Sequence, residues 1–513
     1  MTRRELFVPR RHCCFAILAA ASLLTLLFAI AEVRLSRLPF QRDYGEGHVL
    51  FMSQQILDIH EAYKPLDSLP LVAFVYPPGY MVASHLAGAL LGHLLAVGRI
   101  LSLVSTLGIG MAAGLIILFS TPVRFPLLWR LAAAAFGGAA PFAAESVQKW
   151  ASLMRVDMLA LFFMYSGLAV YIVLGKRERW QFAAGALFLL ALFTKQTMLS
   201  APLACLIFGL LTCPWRTIRV YTSLAVAGLA GVFWLNAVTQ GGFLTHIVLY
   251  NRNAYSWRSA GLQVFQHIQD LLPSVVIGAA VFLGVMNPVA IRRNGWRRFL
   301  QVRCGLSGRA VLIVGLTSML EAISMLTVGK TGSNFNYFLG WDISTGILCG
   351  LFLFRLLATW ETRARPNKRG SLILVVLLVS AVYLPSIGLA PNLLPKTGFE
   401  DQAQDDAALI GILRATSGPV FSENLLLPFQ AGKAVEVEPA TLCYIANAGQ
   451  WDEAQFLELL DRHYFRLIVA YNIYAPDRYT PAVAASIESA YVLQQRVGRY
   501  AVYRPADTAT TIR

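Results

Sequence analysis

"RLPFQRDYGEGHVLFMSQQIL", residues 37–57, decides how the chain is read. It follows the first long apolar run. Within it Asp43 and Glu46 stand three residues apart, with Gly45 and Gly47 on either side of the glutamate. A helix-like stretch comes next. Two readings compete. Asp43 as N-cap and Glu46 at N3 resemble a capping box, which would simply start a helix. A carboxylate on a loop just outside a membrane can also serve as general base toward a hydroxyl acceptor, and neighbouring glycines let a substrate come close. The rest of the chain has to choose between them.

Composition establishes that there is a membrane to leave. The 513 residues are 57% hydrophobic and only 14% charged, with a mean hydropathy of +0.57. A soluble enzyme of this length exposes far more charge, so the chain is a polytopic α-helical membrane protein. The net charge of +15 is uneven: residues 1–390 hold 33 Lys/Arg against 14 Asp/Glu, and residues 391–513 hold 10 against 14. The basic excess therefore sits with the membrane part, where Lys and Arg hold cytoplasmic loops against anionic lipid. A nucleic-acid partner would need that excess on a soluble face and is excluded. Six of the seven cysteines lie in or beside apolar segments, only Cys443 falls in the tail, and no CxxC spacing occurs. Neither a disulfide framework nor a zinc site is indicated.

Apolar segments lie near 13–33, 78–96, 99–120, 128–144, 157–174, 181–193, 197–213, 218–238, 272–291, 308–328, 335–357 and 370–390. The first has the basic flank and apolar core of a signal peptide, but it is long enough to span a bilayer and is read as an uncleaved helix. Basic clusters give the orientation. Arg3, Arg4, Arg10 and Arg11 start inside, followed by Arg124 and Arg130, "KRER" at 176–179, Arg216 and Arg219, "RRNGWRR" at 292–298 and "RARPNKR" at 363–369. They agree only if one segment does not cross. The stretch 78–96, entered through "VYPPGY", is the candidate, because its prolines favour a turn into an interfacial helix. About eleven transmembrane helices remain, and the C-terminal part falls outside. A full crossing at 78–96 with another segment misread is the alternative. In the tail, "GPVFSEN" and "RLIVAYN" read as strands, "WDEAQFLELLDRHY" and "TPAVAASIESA" as amphipathic helices, and "YVLQQRVGRYAVYRP" as a hairpin around Val497-Gly498. The division is thus a membrane domain, 1–390, and a small α/β extracytoplasmic domain, 391–513.

The outer face gathers the polar residues that topology does not need. "RVD" at 155–157 opens an apolar helix: Asp157 suits the positive end of that helix's dipole, and Arg155 beside an acid suits a phosphate. Lys195, in "FTKQT" at the outer tip of a hairpin near lipid head groups, either snorkels or meets an anionic lipid phosphate. "VGKTGSN" lacks the first P-loop glycine, with Ser324 in its place, and follows a membrane helix, so nucleotide binding is rejected. Lys330, Asn334, Asn336 and Tyr337 remain as outer-loop groups. "HIVLYNRNAYSWR" at 246–258 mixes aromatics with donors, Arg252 and Arg258 among them, as sugar sites and interfacial belts both do. Glu321 and Asp342 lie within apparent spans and would suit a proton-coupled transporter or a lipid-linked-oligosaccharide flippase.

An acidic first outer loop, "YPP" at 76–78, "RVD", "FTKQT" and "NYFL" at 336–339 occur in this order. Together they resemble the GT-C superfamily of polyprenyl-phosphate-sugar-dependent glycosyltransferases, in pattern nearest the bacterial protein O-mannosyltransferase-like and aminoarabinose-transferase-like branches. The resemblance spans residues 10–390. It implies that the first-loop acid is the catalytic base. Many relatives have adjacent Asp-Glu there; this chain has "DYGE", and Asp43 and Glu46 both remain candidates. Asp157 matches a second acidic position, Lys195 falls in the family's Thr-Lys stretch, and Tyr337 matches an aromatic near the lipid-phosphate site, with Lys330 just before it. Several relatives carry Lys or His directly before the double proline. Tyr76 stands there instead, leaving Lys195, Arg252, Arg258 or Lys330 to supply the missing cation. The implied activity is inverting transfer of a sugar from a polyprenyl-phosphate donor to a hydroxyl of a lipid, polysaccharide or protein. It takes place at the periplasmic face of a bacterial inner membrane, among membrane lipids. No cofactor is implied; some relatives use a divalent cation, and no metal site is indicated in this sequence.

Overall fold

The computed structural model describes residues 3–58, 60–270, 276, 306–362, 368–393 and 398–506. Among them, seven helices are long and apolar enough to cross a membrane. The membrane part runs through α1 (Arg3–Ser36), α2 (Tyr44–Gln55), α3 (Gly79–Leu91), α4 (Leu94–Ser120), α5 (Leu127–Ala143), α6 (Glu145–Trp150), α7 (Asp157–Leu174), α8 (Glu178–Thr194), α9 (Ser200–Thr212) and α10 (Pro214–Val238). Further helices follow at Gly242–Ile247 and Trp257–Asp270, then at Leu306–Met325, Leu339–Thr362 and Lys368–Tyr383. The apolar segment 272–291 and the basic cluster 292–298 lie outside the described residues. Helices α1, α4, α5, α7, α8 and 339–362 pack against one another around one large apolar core. By contrast, α10 buries only Thr217 and Val220 and leaves Phe233 and Trp234 bare, as a lipid-facing helix does.

The segment expected not to cross is separate from its neighbour. Helix α3 has 13 residues, a rise of about 20 Å against a hydrocarbon core of about 30 Å. Gly92 (φ +72°) and His93 (φ +50°) then break the chain before α4 begins at Leu94.

The small domain carries a four-stranded sheet in the order β1-β2-β4-β3, with β1 Val420–Ser422, β2 Leu467–Ala470, β3 Tyr491–Val497 and β4 Tyr500–Pro505. The first pair is parallel, Val420 opposite Leu467, and the others are antiparallel. Both strands, both helices and the closing hairpin fall where the sequence pattern puts them. The domain docks on the segment between α1 and α3. Leu71 bridges to Val437, the Tyr44 hydroxyl donates to Glu438 at 2.6 Å, and the Trp451 indole donates to the Leu66 carbonyl at 2.8 Å.

A buried ion pair fixes where the chain leaves α1. Arg99, on α4, donates through Nε and Nη2 to the two oxygens of Glu46, each at 2.7 Å, and both side chains are fully buried. The same guanidinium donates to the Leu38 and Phe40 carbonyls at 2.6 and 2.7 Å. Glu46 also accepts the Arg42 and Met154 backbone N–H groups at 2.7 and 3.0 Å. Burial pushes its carboxyl upward, but the Arg99 hydrogen bonds and charge and the two N–H groups outweigh that and hold it below its ordinary value.

A depressed acid stabilises the fold fully above its unfolded value, near 4.5, and loses that contribution as pH falls through the lower folded value. Thermal melts in detergent should therefore fall in acid below about pH 4.5. Glu46→Gln leaves Arg99 buried without a counter-charge, and the expected cost at neutral pH is about 3–5 kcal/mol. An acid-insensitive melt and an unchanged Glu46→Gln protein would contradict this role.

Candidate active site

Asp43 is the N-cap of α2: its Oδ1 accepts the Gly45 N–H at 3.0 Å. The Asp43 half of the capping-box reading is thus correct as local structure, whereas Glu46 accepts the Arg42 N–H and not that of Asp43. The cap uses one Asp43 oxygen. Oδ1 also accepts from Arg155 Nη1 at 3.0 Å, and Oδ2 has no hydrogen bond among the described residues. Gly45 permits this geometry, because a methyl group there would stand 1.3 Å from Arg155 Nη1. Three cavities meet at this carboxylate, of about 720, 210 and 540 Å³. Asp43 is the one described residue that lines all three.

The largest polar constellation surrounds the 540 Å³ cavity. Asp43, Tyr76, Arg155, Lys195, Lys330, Asn336 and Tyr337, predicted from separate outer loops, all line it. Arg155 Nη2 donates to the Tyr76 hydroxyl at 3.2 Å. Burial lowers the proton affinity of Arg155, but the Tyr76, Asp43 and Asp157 oxygens more than restore it, so it stays charged. Lys195 is not at the lipid surface. It is buried, 4% exposed, with Nζ 2.5 Å from Asp157 Oδ1 and 5.1 Å from the Tyr337 ring centroid. Burial lowers its proton affinity and Asp157 more than reverses this, which keeps the ammonium charged at neutral pH. Lys330 makes no ion pair among the described residues. Arg155 Nε, Gln196 Oε1 and Asn336 Oδ1 are buried without a protein partner, an unusual concentration of unspent polarity on one wall.

Glu46 and Asp157 line none of these cavities. Glu46 spends both oxygens on Arg99 and two backbone N–H groups. Asp157 accepts from Lys195 and from Asn336 Nδ2 (3.0 Å) at one oxygen and from the Trp150 indole (2.9 Å) at the other. Both sit behind the site and orient residues that face it. Arg252 and Arg258 are exposed and line none of the cavities. The acids behind the transporter alternative are locally tied: Glu321 accepts from the Ser200 hydroxyl, and Asp342 from Ser146 and from His267 Nε2 at 2.8 Å.

Sequence reading misses Arg99 and the small domain's share of the wall. A single arginine in "LLAVGRILSLV" is a readable signal, since a cation within an apolar run is rarely idle. Tyr444 and Arg478 line the 540 Å³ cavity from far beyond the last membrane motif, with no pattern to mark them. Among the described residues no group of three or more His, Cys, Asp or Glu is placed to hold a metal ion.

No protein-family model matches the chain, and no curated protein matches it. Solved structures do. ArnT from Cupriavidus metallidurans bound to undecaprenyl phosphate superposes with a TM-score of 0.58 at 17% identity, over 94% of this chain and 98% of that one. The Archaeoglobus fulgidus oligosaccharyltransferase in its apo form gives 0.51 at 11% identity, over 93% and 72%. The same archaeal enzyme, AglB, with an inhibitory peptide and a dolichol-phosphate also gives 0.51, over 96% and 74%. The chain has the GT-C fold.

The Asp157 cluster backs the wall of the 540 Å³ cavity, so its loss should register first as instability. Asp157→Asn leaves Lys195 buried without its counter-charge, and a denaturant or thermal melt should show a loss of about 3–5 kcal/mol. Lys330→Gln, with no ion pair to break, should stay within about 0.5 kcal/mol of the parent. Equal melts for the two variants would remove the positioning role of Asp157.

Proposed function

We propose that the chain is an integral-membrane inverting glycosyltransferase. It moves a sugar from a polyprenyl-phosphate donor to a hydroxyl acceptor at the periplasmic face of a bacterial inner membrane. The observation that carries this reading is the position of Asp43, one oxygen held and the other open, where three cavities converge.

The donor phosphate belongs in the 540 Å³ cavity, among Arg155, Lys195 and Lys330, with Tyr76, Asn336 and Tyr337 around it. Two structures of this fold support that choice of carrier by what they hold, undecaprenyl phosphate in one and dolichol-phosphate in the other. The acceptor hydroxyl gives its proton to Asp43 Oδ2 as its oxygen bonds to the anomeric carbon. The bond from that carbon to the phosphate oxygen breaks, and its electron pair leaves with polyprenyl phosphate. One displacement inverts the anomeric configuration. Arg155 has two tasks: it orients Asp43 Oδ1 and presents positive charge toward the departing phosphate, with no reorganisation at the moment of reaction. No redox or nucleotide cofactor enters, because the donor carries its own activated leaving group.

In detergent, with a panel of synthetic polyprenyl-phosphate sugars and envelope extract as acceptor, Asp43→Asn should lower transfer by about 10²–10⁴-fold. Donor binding should persist, and product NMR should show inversion. Glu321→Gln should transfer normally if folded. Retention of configuration, or full transfer by Asp43→Asn, would overturn the assignment.

A further inference from the structure

The cleft of about 210 Å³ lies between the first outer loop and the small domain, with Asp43 in its wall. The donor site does not account for it. Three arginines line it, Arg42, Arg478 and Arg499, against the carboxylates of Asp43 and Glu423. Two of the three are committed. Arg42 Nη1 donates to the Ser152 hydroxyl and carbonyl at 2.8 and 3.1 Å. Arg478 pairs with Asp477 at 2.7 Å and with Glu423 at 3.5 Å, and its guanidinium lies 4.2 Å from the centroid of the Tyr44 ring.

Arg499 differs. Among the described residues it pairs with no carboxylate; the buried Asp406 feels its charge but makes no ion pair with it. Its guanidinium lies 5.8 and 5.3 Å from the Tyr471 and Tyr500 ring centroids, and Nη2 donates to the Tyr500 hydroxyl at 3.3 Å. That hydroxyl is fixed in turn by the buried Asn424, whose Nδ2 donates to it at 3.2 Å. The result is a planar cation with no ion pair among the described residues, seated beside two aromatic rings and facing the same small cleft as the open carboxylate. Tyr471 stands half exposed beside it. A sugar ring bearing an acid matches every element of this wall: aromatic face to ring, guanidinium to anion, Asp43 to hydroxyl.

We infer that this cleft is the acceptor subsite, and that the acceptor carries a carboxylate or phosphate ester close to the hydroxyl that is glycosylated. The inference rests on Asp43 being the base. Arg499 receives the anion, and the Arg478–Glu423 pair lines the same cleft. The small domain thereby chooses the acceptor, while the membrane domain chooses the donor.

Binding to the full-length protein in detergent, without donor, separates the two proposals. The probes are methyl glucuronide, glucose 6-phosphate and neutral methyl glucoside. Either acid should bind about tenfold or more tightly than the neutral sugar, the preferred acid naming the anion, and Arg499→Gln should erase that difference. Arg499 is exposed at a hairpin turn, so the variant should fold, which its melt verifies. Asp43→Asn should keep acid binding, so a failure of the base assignment would appear in turnover and not here. Equal binding of acid and neutral sugar overturns the subsite, as does acid binding untouched by Arg499→Gln. Displacement of the bound acid by excess farnesyl phosphate would assign the cleft to the donor and overturn it as well.

Discussion

The Arg99–Glu46 pair is the constraint on which the geometry around Asp43 depends. One guanidinium, buried between α4 and the exit of α1, neutralises one carboxylate and collects the carbonyls of Leu38 and Phe40. Glu46 reaches the other way, to the backbone N–H of Met154. Three segments far apart in sequence are thereby fixed at one point: the loop before α2, the start of α4 and the connection before α7. An unpaired charge in this setting is strongly unfavourable, so the geometry is close to all-or-none. Asp43, just before Glu46, and Arg155, directly after Met154, are aligned as a consequence.

From that anchor, charge is arranged in tiers. Glu46 with Arg99 is sealed and structural. Asp157 with Lys195 is nearly sealed and shapes the cavity wall. Asp43 with Arg155 is partly open, the side chains 17% and 14% exposed, and it alone of the three offers a carboxylate oxygen to ligand. Three carboxylates of similar chemistry thus divide by burial and partner count into two closed pairs and one open carboxylate.

Much of this is legible in the sequence. Hydropathy and basic clusters point to the helices, and strand alternation with the Val497-Gly498 turn points to the small sheet. The five motifs point to the fold, because each carries residues that line the cavity around Arg155 and Lys195 or back its wall. The capping and catalytic readings of "DYGE" look exclusive and are not, since a cap needs one carboxylate oxygen and a base needs the other. Lys195 reads as a group near lipid because topology reports only the side of the membrane; its burial depends on Asp157, which stands far earlier in the chain. Arg99 is legible as a lone cation in an apolar run, but its partner Glu46 lies in a different segment and nothing local names it. Arg478 and Arg499 are beyond reach, because their proximity to Asp43 arises from docking of the small domain and leaves no local pattern.

The most direct measurement is a structure of the Asp43→Asn protein with an intact polyprenyl-phosphate sugar. The account predicts the phosphate among Lys195, Lys330 and Arg155, in the cavity those three residues line. The anomeric carbon should be turned so that residue 43 faces it opposite the phosphate oxygen. A phosphate in the larger cavity lined by Lys149 and His267, or residue 43 on the leaving-group side, would contradict it.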